Sequence, residues 1–202
     1  MRTYPSLIFT DATRARLAAL TRRQPRRVRS LAREMTRLAT CPVAECWLES
    51  TWQEDLATRL LLARKLPGDR FAVVCCDLDL GCLGVRSAEI SPNTSAEQLR
   101  RWRRELFVSP ADGFPSLGRK IIEHCVEFAS LAGFEPVPEF VPAFAFFSTI
   151  DATRQRAPVT CGVDGRPLLR PVRGDDIAAL ERKLASTVGA PPAYILSHPD
   201  TW

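Results

Sequence analysis

Residues 75–85 read CCDLDLGCLGV, three cysteines and two aspartates inside one apolar run. Taken as an extended strand over residues 71–82, the side chains divide by parity. Phe71, Val73, Cys75, Asp77 and Asp79 point one way; Ala72, Val74, Cys76, Leu78, Leu80 and Cys82 point the other. The second set makes a core face, in which Cys76 and Cys82 serve as small buried hydrophobes. The two aspartates share the opposite face, about 7 Å apart at roughly 3.3 Å rise per residue. Gly81 and Gly84 lack the spacing and the Lys-Ser/Thr ending of a phosphate loop, so they mark a bulge or turn where the strand ends.

Working outward, residues 42–49 alternate, with Ala44, Cys46 and Leu48 against Glu45, Trp47 and Glu49, as a half-buried strand does. A second strand is expected over residues 57–65. The turn signal LPGDR at 66–70 is too short for a crossover and makes the three segments an antiparallel meander. Downstream, Ser95 and Gln98 stand at capping-box spacing before a helix over 95–107. A longer helix covers 117–132, ended by Gly133, and a last one covers 175–188. Asp164-Gly165 predicts a hairpin over 159–170 that extends the sheet, and residues 193–196 can add a strand. The segment PVPEFVPAFAFFST is too proline-punctuated for a helix and reads as an edge segment over the core. The fold class is therefore α+β: a meander plus hairpin, with helices mainly on one face.

The chain of 202 residues carries a net charge of +5, unevenly placed. Residues 1–40 hold ten arginines against Asp11 and Glu34, so this arm is +8 and the remainder, 5 − 8, is −3. Helices are expected over 11–24 and 26–39. In the second, Val28, Leu31, Met35 and Leu38 form an apolar stripe and the arginines fall mostly off it. The division is an arginine-rich helical arm, 1–40, and an α+β domain, 41–202. Seven cysteines, without framework or zinc-finger spacing, fit reduced thiols. The N-terminal stretch has no apolar signal region and no apolar run approaches membrane-spanning length, so a cytoplasmic protein is expected.

Two functional readings follow. One is a non-catalytic nucleic-acid-binding or assembly subunit, with Arg22, Arg23, Arg26, Arg27, Arg29, Arg33 and Arg37 neutralising phosphates. The alternative is a Mg²⁺-dependent nuclease or phosphodiesterase with Asp77 and Asp79 as metal ligands and Glu45, Glu49 and Lys65 completing the site. Against it stands a plain structural role, since cross-strand carboxylate–arginine pairs are routine. His124 and Cys125 are adjacent on a helix and diverge, so they make no nucleophile–base pair, and Trp47 and Trp52 read as core packing. A membrane-surface role for the basic helix is disfavoured because its stripe has no aromatic anchor.

The succession ECWLESTW, LLLARK, VCCDLDLGCLGVRSA, RKIIEHCVEFASLAGFEPVPEF, FFSTID and GVDGRPLL resembles an uncharacterised family of bacterial proteins. There the third strand reads as an aspartate followed by Cys-Leu-Gly-Val-Lys, and Arg86 stands where the lysine would. The resemblance implies one domain over about residues 41–196, with the arginine-rich arm as its variable part, and it carries over no catalytic residue.

Overall fold

The computed structural model describes residues 11–191 and 193–197; His198 lies outside them. Four strands form the expected meander and one more: β1 (Val43–Glu49), β2 (Ala57–Leu66), β3 (Arg70–Asp79) and β4 (Gly84–Ser95). A short β5 (Pro110–Asp112) pairs with the free edge of β1, giving an antiparallel sheet of order β4-β3-β2-β1-β5. The parity read from residues 71–82 holds along β3. Ala72, Val74, Cys76 and Leu78 join one apolar cluster with Leu60 and Leu62, while Phe71, Val73 and Cys75 join another with Leu61 and Ala63. Both faces of the two central strands are thus covered, which is why β2 and β3 read as nearly continuous apolar runs.

After a one-turn α3 (Trp52–Asp55) between β1 and β2, the longer helices arise close to their expected places: α4 (Ala96–Leu106), α5 (Pro115–Leu131) and α7 (Ile177–Thr187). Ser95 Oγ accepts the Gln98 N–H at 3.1 Å, and Asp176 accepts that of Ala179 at 3.0 Å, so two helices start on side-chain caps. α5 packs Ile121, Ile122 and Cys125 on the Leu60 face. α4 takes the other face, through Leu99, Trp102 and Leu106, so one of the helices expected on a common face is on the far side.

β4 is the strand the sequence does not announce. As an edge strand it tolerates Pro92, and a register shift between the Phe71–Thr94 and Val73–Ser91 pairs absorbs the irregularity there. The expected hairpin over 159–170 is reduced to a single bridge, Val163 to Arg166, around Asp164 and Gly165 at positive φ. It does not extend the main sheet. Gly162 N–H donates to Leu80 O and Leu168 N–H to Gly81 O, both at 2.8 Å, so this segment clasps the β3–β4 turn instead. Beyond Pro167, β6 (Leu168–Leu169) pairs in parallel with β7 (Ile195–Leu196).

The proline-rich segment is corrected too: it contains α6 (Phe140–Ala145), a short helix buried against the core. Pro142 is its third residue, a first-turn position whose N–H has no intrahelical acceptor. Phe140, Phe146 and Phe147 are fully buried and supply the driving force.

The arm shares this core. α1 (Asp11–Arg23) contributes Leu17, and α2 (Arg26–Leu38) contributes Met35 and Leu38, to the cluster that includes the sheet. Among the described residues no helix is long and apolar enough to cross a membrane.

Candidate nucleic-acid interface and the acidic cleft

In α2 the buried residues are Ala32, Met35 and Leu38, and this face rests on α6. At 100° per residue, Arg26, Arg29, Arg33 and Arg37 fall on the opposite side, forming a stripe about 16 Å long at 1.5 Å per residue. Those four, with Arg22, Arg23 and Arg27, are all exposed. Among the described residues none of the seven guanidinium groups makes an ion pair or side-chain hydrogen bond. In the body some cations are matched to acids, while Arg101 and Arg104 on α4 are exposed and without an ion pair among the described residues. Arg86 is held by both Asp175 oxygens, at 2.9 and 3.0 Å, and Arg119 by Glu123 at 2.8 Å.

The helical hairpin made by α1 and α2, joined through Gln24 and Pro25, is fixed to the body at its C-terminal end. Arg64, 3% exposed, donates to Cys41 O at 2.6 Å, Phe146 O at 3.2 Å and Thr149 Oγ1 at 3.0 Å, with Phe146 under its guanidinium. Thr149 Oγ1 in turn donates to Ala39 O, just past α2, at 2.7 Å. No carboxylate is among these partners, and burial lowers the Arg64 pKa.

The aspartates of the opening stretch lie at the other end of the sheet, in a cleft of ≈790 Å³. Arg59 and Asp77 are direct cross-strand partners on β2 and β3, and Arg59 Nε donates to Asp77 Oδ1 at 2.6 Å. Ser87, opposite Asp77 on β4, donates to Oδ2 at 2.7 Å. Glu49, the residue after the Leu48–Leu60 pair, completes a row across four strands, and its carboxylate accepts the N–H groups of Val108 and Ser109 at 3.0 and 2.9 Å. Arg59 also donates to Leu106 O at the end of α4, a favourable place for a cation on the helix dipole.

Asp79 turns inward. Its Oδ1 accepts the Cys82 N–H at 3.0 Å, inside the turn between β3 and β4. Burial raises its pKa; the Cys82 N–H, Arg170 and Arg86 oppose the shift without cancelling it. A Cβ on Gly81 would lie 2.7 Å from Leu168 O, and one on Gly84, at φ +77°, would lie 2.6 Å from Ala129 Cβ. The turn therefore needs both glycines.

Of the residues in the Mg²⁺ reading, the cleft gathers Glu49, Asp77 and Asp79. Glu45 instead accepts from its neighbour Trp47 Nε1 at 2.8 Å, and Lys65 pairs with Asp69 at the far end of the β2–β3 hairpin. Among the described residues no three His, Cys, Asp or Glu side chains are grouped to hold a metal ion. Strand alternation predicts Asp77 and Asp79 on one face; the register shift between Asp77 and Leu78 and the turn beyond separate their environments. The sequence gives no local signal for Arg170, which reaches the cleft from the segment after β6. Arg59, by contrast, follows from the β2–β3 register.

Six of the seven cysteines are buried, and burial disfavours their thiolates. Cys46, Cys75 and Cys161 are pushed up to about 12, and Cys76, Cys82 and Cys125 are also raised. Cys125 donates to Asp79 O at 3.2 Å, pointing away from any partnership with His124. Burial, then Lys120, lowers the His124 pKa. Trp47 packs in the α4-side cluster with Arg103 over its ring, and Trp52 packs on the main core.

The fold and these sites define an α+β protein with a covered antiparallel sheet and a basic helical hairpin docked on it. No family model, curated protein or solved structure matches the chain.

Proposed function

We propose that the protein is a non-catalytic nucleic-acid-binding subunit that holds the phosphate backbone on the arginine face of α1 and α2. The observation behind this reading is the contrast in how charge is used. Seven arginines within residues 22–37 are exposed and unmatched among the described residues; in the body Arg59, Arg86 and Arg119 are matched to carboxylates, and only scattered cations such as Arg101 and Arg104 are exposed and unmatched. An α-helical stripe of guanidinium groups about 16 Å long spans several phosphates of a nucleic-acid strand. All seven cysteines are free thiols, which favours a reducing, cytoplasmic setting. A protein partner in a larger assembly is compatible with the same surface.

The test is a binding titration at several salt concentrations. With four phosphates neutralised, log K is expected to fall with a slope of about −3 against log salt, a loss of roughly 50- to 150-fold between 50 and 200 mM. An affinity indifferent to salt would sink the reading.

A further inference from the structure

Beside the contact between α2 and α6 a groove of ≈420 Å³ opens, lined by residues of α1, α2 and α6. Its walls include Arg22 from the end of α1 and Arg29 and Arg33, one turn apart on α2. None of these three guanidinium groups is paired among the described residues, so three like charges surround one recess. That arrangement favours an anion between them.

The rest of the lining says what kind of anion. The floor is apolar, formed by Ala32, Val141 and Ala145. Thr21 and Thr36 also line the groove; each hydroxyl donates to a carbonyl four residues back, Leu17 O and Ala32 O, at 2.9 Å. Their protons are committed, so both oxygens serve a ligand as acceptors. The matching ligand has a phosphate for the arginines, an apolar body for the floor and a donor group for the threonines. A nucleotide unit has all three, and the groove falls within the size range of small-molecule sites. In a duplex the base faces are stacked inside, leaving phosphates, sugars and base edges outside; an unpaired base can leave the stack and enter a recess.

We propose that this groove accepts one unpaired nucleotide, and that the protein therefore binds single-stranded nucleic acid in preference to duplex. The proposal rests on the nucleic-acid reading above and narrows it to a strand type. Phosphates flanking the inserted unit continue along the Arg26 and Arg37 side of the stripe.

Fluorescence anisotropy with the full chain tests it, using labelled oligo(U), oligo(dT) and a duplex of equal length, with phosphatidylglycerol vesicles as a separate arm. Wild type is expected to prefer the single strands. Ala145→Phe, which fills the groove, should weaken single-strand binding about tenfold, the scale of one lost base contact, and leave duplex binding within about twofold. Thr36→Val, nearly isosteric and at an exposed helical position, should weaken single-strand binding several-fold; it carries the test alone if thermal melting shows that Ala145→Phe is unfolded. Salt-dependent wild-type binding that both variants leave unchanged, or that falls equally for duplex and single strand, overturns the groove proposal and leaves the broader reading standing. Binding to the vesicles and to no oligonucleotide overturns both.

Discussion

At the scale of single residues, Asp79 shows how far parity carries. The alternation along β3 correctly sorts the cysteines, leucines and valines, because a strand in a sheet has a fixed period of two. It fails at the strand's end, where the chain leaves the pleat and Asp79 closes a turn on the Cys82 N–H. Nothing local to DLDLG distinguishes an acid that caps a turn from one that faces solvent; the difference comes from the 162–168 segment packed over the turn, a contact more than eighty residues away in the chain. The raised pKa of Asp79 has a consequence for stability. A carboxyl that binds its proton more tightly when folded stabilises the fold at low pH, and that contribution is lost as pH rises from the ordinary carboxylate range through its folded pKa. Asp79→Asn keeps an oxygen for the Cys82 N–H and has no charge to bury. It is expected to match or exceed wild-type stability at pH 7, with the difference vanishing near pH 4. Asp79→Ala leaves that buried N–H unmatched and should cost about 1–3 kcal/mol. Urea unfolding of both variants at the two pH values checks the pair; an Asn variant as damaged as the Ala variant at pH 7 contradicts it.

At the scale of elements, the sequence announces those whose signal is intrinsic and conceals those that exist only through contact. The meander, α4, α5 and α7 carry periodicity, caps or turn residues of their own. α6 and β4 do not: the first is six residues with a proline, the second an edge strand with a proline, and both are set by burial against neighbours. The attachment of α2 is of the same contact-made kind. Its stripe is legible, but nothing in RLLLARK tells which arginine will be buried, and it is Arg64 that bridges the chain just after α2 to the chain after α6. Removing this side chain strands the Cys41 and Phe146 carbonyls and empties the space over the Phe146 ring. Arg64→Ala is expected to destabilise the protein by about 2–4 kcal/mol. Hydrogen exchange of α2 amides should accelerate more than that of β2 and β3, since the hairpin loses its anchor while the central strands keep theirs. Equal acceleration everywhere would mean that the hairpin has no separate opening.

For the whole molecule, residues 1–40 carry +8 and the rest −3, yet the seven described arginines from 22 to 37 form no ion pair with the body. Acids of the body are held by its own arginines, as in Arg59–Asp77 and Arg86–Asp175, and the hairpin rests on the body through Leu17, Met35 and Leu38. Among the described residues the seven guanidinium groups from Arg22 to Arg37 meet no carboxylate of the body. Arg26, Arg29, Arg33 and Arg37 follow one another at one-turn intervals, closer than the Debye length of about 10 Å at 0.1 M salt, so they repel. Salt should then act with opposite signs on fold and function. Raising it from 50 to 500 mM screens the repulsion and should hold or slightly raise the melting temperature, while nucleic-acid affinity falls steeply. Replacing the four stripe arginines by glutamine should flatten the salt dependence of both quantities together, with stability changing by less than about 0.5 kcal/mol per exposed site. If wild type instead melts earlier as salt rises, the arginines are engaged with carboxylates of the body, and the surface offered to a polyanion is spent on the fold.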